Sequence, residues 1–430
     1  MVGPLLFAVA DLSNPARAQA PAAVTAKYVG AGSCAASACH GGVQPRLDSR
    51  IQQNEYSTWV VKDQHAKAHS VLGSPVSQRI ARILKLGRAD TSPRCLACHA
   101  LNVPEAAKGR PIELADGVSC ESCHGPASGW LGPHTMRDWP HVKSVQLGMY
   151  DTKDLVKRTE KCLGCHLGTP QQFVDHELIA AGHPDLVFEL DSFQAVMPRH
   201  WKEPARPWRG VQTWSVGQAV QLREGLKRVA WRARGNVWPE YAELECFACH
   251  HSLTPANESW RQEVGYEGRR AGDPPFNASR FMVFQHMAAK VNPAAAQQLD
   301  QEVRKLHTLM SRLTADRDEI ARTADRAAGI ADGLVQSVAN QEFNRDLTLG
   351  VLRAIAGDAD DLSKAGERTA EQAAMAVDSL FLAYAESAKP ANQAQVRAAI
   401  DGLFKELERP SAYHGPRFAA QMKRVGAALQ

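Results

Sequence analysis

Hydrophobic and polar positions divide the chain into two textures. From Asn292 onward the sequence is Ala-rich, laced with charge, and apolar at helical spacing. Asn292 and Pro293 supply a cap and first turn for a helix whose apolar face carries Leu299, Val303, Leu306, Met310 and Leu313. A second helix is predicted to start near Thr314, where Asp316, Asp318 and Glu319 suit the positive end of the helix dipole. Two more are predicted over residues 361–387, with Val377, Leu380, Phe381 and Tyr384 apolar, and over 391–407, with Val396, Ile400, Leu403 and Phe404. Residues 416–429 close the chain with Phe418, Met422, Val425 and Leu429 at helical spacing. These segments predict a C-terminal helical bundle. Before Ser252 the texture is different: Gly, Pro, Trp and short polar turns dominate, and no strand-like alternation is sustained. Short helices joined by long loops are expected there.

That first part holds all ten cysteines. Eight fall in four copies of one pentapeptide: Cys95 to His99, Cys120 to His124, Cys162 to His166 and Cys246 to His250. CxxCH is the attachment signature of c-type haem, because two thiols three positions apart each add to one vinyl group while the next residue places an imidazole under the iron. The last two cysteines stand in CAASACH, Cys34 and Cys39 followed by His40, which is the same motif with a longer loop. The expectation is a fifth haem c, with a Cys34–Cys39 disulfide as the alternative. A zinc ribbon gives no reason for His to follow every second cysteine. Haem packing also explains the texture, since porphyrins supply apolar surface that side chains then need not.

His40, His99, His124, His166 and His250 are the proximal ligands this reading assigns. The second axial position decides what each iron can do: two imidazoles saturate it, whereas an open position admits a small molecule. Candidates lie among the motifs: His65, His69, His134, His141, His176, His183, His200 and His251. His65 and His69 are four apart, on one face of a short helix, and either could reach an iron. His176 and His183, seven apart, share a helical face or straddle a turn ending at Gly182. His134 follows the Cys120 motif closely, and His200 lies in a Trp-rich region. The candidates retained are His65, His134, His176, His183, His69 and His200; His286, His307 and His414 fall in the helical tail and are read as ordinary residues.

Haem c is attached outside the cytoplasm. Residues 1–20 look signal-like, with apolar Gly3 to Ala10 and a small-residue site at Ala18-Gln19-Ala20, although a positively charged leader is missing. A periplasmic location without a transmembrane span is expected. The formal net charge of +4 would be overturned by five pairs of propionates, roughly ten negative charges, and no basic cluster with interleaved aromatics occurs. Nucleic acid is therefore excluded as a partner. Three regions follow: 1–20 signal-like, 28–253 a multihaem domain, and 275–430 a helical domain.

The text between the motifs carries more. YVGAGSCAASACHGG, EYSTWVVKDQHAKAHSVL, RCLACHA, GVSCESCHGPASGWLGPH, CLGCHLG, HELIAAGHPDLVFE, MPRHW and ECFACHH occur in that order. Over residues 28–253 this resembles the multihaem cytochromes c related to the tetrahaem electron carrier of ammonia oxidisers, and more particularly a periplasmic pentahaem branch. The resemblance implies His65, His134, His176 and His183 as sixth ligands and closely stacked haem pairs. His69 stands where that pattern commonly has an aromatic, so the choice between His65 and His69 stays open. The expected function is electron transfer between redox proteins, with possible docking to a membrane redox complex. The alternative is an enzyme with one five-coordinate haem acting on a small nitrogen or sulfur compound; no CxxCK site supports it.

Overall fold

The computed structural model describes residues 26–49, 51–203, 205–246, 249–250, 273–312, 314–409 and 412–430. The signal-like segment and His251 lie outside the described residues. The protein is mainly α. Among the described residues β-structure is limited to three isolated bridges, Tyr28 with Lys108, Thr169 with Gln172 and Leu244 with Phe276.

The first part is built of short helices: α1 (Glu55–Lys62), α2 (Pro75–Ile83), α3 (Pro93–His99), α4 (Cys120–His124), α5 (His141–Gln146), α6 (Leu155–His166), α7 (His176–Ala180) and α8 (Leu190–Val196). Side-chain caps start several of them. Ser74 accepts from the Ser77 amide ahead of Pro75, Asp154 from Lys157, and Asp175 from Leu178. Three of these helices end on a motif histidine, so one helical turn presents two thiols and an imidazole together. Gly125 ends α4 at φ 75°, where a Cβ would lie 3.0 Å from the Gly148 carbonyl oxygen, so only glycine suits the exit. Before residue 155 apolar packing is limited to small clusters, such as Leu72, Ala81, Ala89, Leu96 and Ala100 in one and Val29, Ala127 and Trp130 in another.

The second part comprises α9 (Arg209–Arg234), α10 (Ser279–Val291), α11 (Pro293–Met310), α12 (Arg317–Ala339), α13 (Arg345–Gly357), α14 (Ala359–Lys364), α15 (Glu367–Ala388), α16 (Gln393–Leu407) and α17 (Gly415–Ala428). The Asn292 cap is present, its side chain accepting from the Ala295 amide, and Leu299, Val303, Leu306 and Met310 are buried. Asp316 caps α12, which begins three residues later than Thr314 suggested. The single helix expected over residues 361–387 is two, broken where Gly366 takes φ 108°. α9 and α10 are the main additions to the sequence reading. A large apolar core joins α6, α8 and α9 to α10–α17, with Trp214 of α9 wholly buried in it. The part bearing the motifs and the helical part therefore share this core. No helix among the described residues is long and apolar enough to cross a membrane.

Candidate haem sites

Each of the five motif histidines faces a second histidine from elsewhere in the chain. His40 stacks on His134 with ring centres 6.1 Å apart. His166 faces His65 at 6.2 Å, and His99 faces His183 at 6.4 Å. His124 faces His200 at 6.5 Å, and His250 faces His176 at 6.3 Å. Two imidazole nitrogens bound to one metal at about 2.0 Å on opposite sides put the ring centres about 6.3 Å apart. All five spacings fall within a few tenths of an ångström of that value, so the residues present fit five irons, each with two axial imidazoles. Among the described residues no three His, Cys, Asp or Glu side chains converge as a metal cluster. The rings are arranged in twos.

Hydrogen bonds at Nδ1 aim several of these rings. His40 Nδ1 is 2.9 Å from Glu55 Oε2, and His65 Nδ1 is 2.9 Å from Asp63 Oδ1. His99 Nδ1 donates to the Ala68 carbonyl at 2.9 Å, His134 Nδ1 to Leu131 at 2.6 Å, and His183 Nδ1 to Pro184 at 2.7 Å. A proton held on Nδ1 leaves Nε2 as the free lone pair, the tautomer a metal needs. His69 is set differently. The short helix expected to carry His65 and His69 on one face is instead a pair of 3-10 turns, Gln64–Lys67 and Ser70–Gly73, which do not align positions four apart. His69 Nε2 donates to the Asp90 carbonyl at 3.2 Å. His141 Nε2 likewise meets Asp151 Oδ1 at 2.9 Å. In the tail His286 Nε2 bonds Asp358 and His414 caps α17.

Electrostatics keep most of the buried rings neutral. Burial, reinforced by neighbouring histidines, pushes His124 and His166 down to about 4. Burial also lowers His99 and His200. His40 and His65 are raised, because hydrogen bonds to Glu55 and Asp63 outweigh burial.

All ten cysteines are free thiols, so Cys34 and Cys39 form no disulfide. Thiols of different motifs approach one another. Cys34 hydrogen-bonds Cys120, which lowers Cys34 to about 7 and pushes Cys120 up. Cys98 and Cys165 form a second such pair, with Cys165 lowered to about 7. Cys162 and Cys165 lie near enough to act on Cys123. Cys39, Cys246 and Cys249 are exposed, and the other seven are partly buried.

Carboxylates outside the motif spacing complete the sites. Glu121, inside CESCH and 2 % exposed, accepts the amides of Val29 (3.0 Å), Gly30 (2.7 Å) and Ala127 (2.8 Å). It ties the segment leading into Cys34 to the Cys120 motif. Asp63, Glu55 and Glu240 hold histidines in comparable ways. The sequence signal for Glu121 was its place within a motif; the others carried none.

Motif helices that end on an imidazole, each facing a second imidazole at metal-bridging distance, define a c-type cytochrome with covalently attached haem c. Residues 33–125 match the family described as Cytochrome c554 and c-prime. Cytochrome c-554 of Nitrosomonas europaea is 32% identical over 117 residues, which covers 24% of this chain and 48% of that protein. Over that stretch the chain is related to the tetrahaem cytochrome family of ammonia oxidisers. The chain spans about half the length of this curated relative. The family match takes in the motifs at Cys34, Cys95 and Cys120; those at Cys162 and Cys246 lie beyond it. No solved structure matches the chain.

Proposed function

We propose that the chain is a periplasmic pentahaem electron carrier whose five haems are all bis-histidine ligated. The axial pairs are His40 with His134, His99 with His183, His124 with His200, His166 with His65, and His250 with His176. The observation that carries this reading is the uniform spacing of those rings, 6.1–6.5 Å in all five pairs. Haem c, when bound, supplies a one-electron couple at each site. The chain's own residues determine the rest. Two imidazoles at every site leave no coordination position for a substrate, which favours electron transfer over chemistry on a small nitrogen or sulfur compound. His65, aimed by Asp63, is the ligand; His69 is engaged with a backbone carbonyl.

Neighbouring sites follow from the thiols. Numbered along the sequence, the first site adjoins the third through Cys34 and Cys120, and the third adjoins the fourth through Cys123, Cys162 and Cys165. Cys165 adjoins Cys98 of the second. His183 of the second and His176 of the fifth stand on either side of the turn at Gly182, φ 115°. The relay therefore runs first, third, fourth, second, fifth. Its two ends carry the exposed cysteines, Cys39 at one and Cys246 and Cys249 at the other. Donor and acceptor are redox proteins, and either may be membrane-bound. Attachment of haem c outside the cytoplasm and the signal-like residues 1–20 support the periplasmic location.

Reductive titration of the purified holoprotein tests the function. Uptake of five electrons per chain, with no carbon monoxide adduct in the reduced state, is the expected result. Stoichiometric carbon monoxide binding to one haem would favour the enzyme reading instead.

A further inference from the structure

The fifth site is held in a way the others are not. Its segment, Glu240 to Glu245, runs directly into Cys246, and distant elements grip it from several sides. Arg368 of α15, 7 % exposed, donates to the carbonyls of Ala242 (3.3 Å) and Leu244 (3.2 Å) and ion-pairs Asp185. Glu243 is 2 % exposed and sits between Arg228 and Arg232 of α9, at 2.7 Å from each. The Glu245 amide donates to Pro275 and the Asn277 amide to Glu243. The other half of the axial pair, His176, opens α7. Its backbone amide donates to Glu240 Oε1 at 3.0 Å, and the same oxygen accepts the Ala242 amide at 2.9 Å. Glu240 is buried, and Tyr241 beside it packs edge-on to the His176 ring with centres 5.5 Å apart.

From this geometry we propose that Glu240 is the positioning residue of the fifth haem site: one carboxylate oxygen joins the helix bearing His176 to the segment bearing Cys246 and His250, and the helical bundle anchors that segment. The inference rests on the axial pair His176 and His250 proposed above. The bond matters because His176 is an α7 first-turn residue, whose amide has no partner within its own helix. Asp175 caps Leu178 and leaves the His176 amide to Glu240. Without the shared oxygen, nothing else in the set of hydrogen bonds links the His176 backbone to residues 240–242. The two rings are then free to change spacing, which loosens or lengthens one iron–nitrogen bond. Glu240 acts through these two amides, and the role is one of geometry rather than charge.

The test compares holoprotein carrying Glu240→Ala, Glu240→Asp or Glu240→Gln with the unmodified chain, by low-temperature EPR and by spectropotentiometric titration. Glu240→Ala keeps five covalent haems, yet one of the five leaves the low-spin set or shifts in potential while four stay in place. Glu240→Asp, too short to reach both amides, moves the same haem and serves where the alanine variant does not fold. Glu240→Gln keeps an amide oxygen at the same place and behaves as the unmodified protein. The inference is overturned if neither Glu240→Ala nor Glu240→Asp moves a haem, if all five move together, or if Glu240→Gln is as disruptive as Glu240→Ala. Fewer than five low-spin haems in the unmodified chain would instead sink the bis-histidine reading, and that result is read before any variant is made.

Discussion

Asp63 offers the clearest handle on how the chain tunes an individual haem. Its side chain is 3 % exposed. Oδ1 accepts both the backbone amide of His65 (3.0 Å) and its Nδ1–H (2.9 Å), while Oδ2 is buried with no hydrogen-bond partner. Burial pushes the carboxyl up, but the hydrogen bonds from His65 outweigh it and hold Asp63 below its ordinary range. A desolvated negative charge on the far nitrogen of an axial imidazole stabilises ferric over ferrous iron. Asp63→Asn keeps an acceptor for Nδ1–H and removes the charge, so ligation survives and the potential rises. Losing such a supporting partner alters metal affinity about 10- to 100-fold, which for one electron corresponds to about 60–120 mV. Asp63 belongs near the top of that range because it is so buried. Glu55, which supports His40, belongs near the bottom: its side chain is 15 % exposed and its other oxygen already accepts the Gln52 amide at 2.7 Å. Spectropotentiometry should show one haem rising by about 100 mV in Asp63→Asn and a different one by about 60 mV in Glu55→Gln. A downward shift, a shift below about 20 mV, or the reverse ranking would refute the reasoning.

Three further outcomes are expected. His65→Ala converts one haem to high spin, whereas His69→Ala leaves all five low-spin; a spin change in the second variant alone would reverse the ligand choice. Glu121→Ala strands three buried amides at about 1–3 kcal/mol each, so thermal unfolding should report a loss of at least about 3 kcal/mol, and a change within about 1 kcal/mol would contradict the account. Asp191 is held up at about 7 by burial and by the nearby Glu189 carboxylate, against about 3.9 when unfolded. A raised acid favours the fold below the unfolded value, and that contribution is lost as pH rises through about 7. The melting temperature should therefore fall between about pH 4 and 7, and Asp191→Asn should flatten part of that fall. Glu371, raised to about 7 by burial and by Glu367 and Asp185, accounts for a further part, so an unchanged slope in Asp191→Asn is the refuting result.

How much the sequence reveals depends on where each signal resides. Local chemistry was legible: the motif spacing, the Asn292–Pro293 start, and the apolar stripes of α11, α16 and α17 are all properties of neighbouring residues. α9 was not, although it is the longest helix among the described residues. It is buried on nearly every face, and its buried positions include Gln218, Gln221, Arg223, Arg228 and Arg232, so no apolar stripe stands out against a polar one. The tryptophans there drew attention to porphyrin edges, whereas Trp214 sits in the main core. The break at Gly366 is a single-residue backbone event inside an otherwise continuous helical pattern. The histidine pairs are the plainest limit. Sequence spacing nominated the right neighbourhood, but His40 meets His134 and His65 meets His166 only through tertiary folding. Choosing His65 over His69 required seeing which ring nitrogen a carbonyl had taken.

The central claim is that all five irons are capped on both sides. Low-temperature EPR of the oxidised holoprotein, with spins integrated against iron counted per chain, tests it most directly. The account predicts five irons per chain and only low-spin ferric signals. A high-spin signal integrating to one iron in five, or four irons per chain, would contradict it.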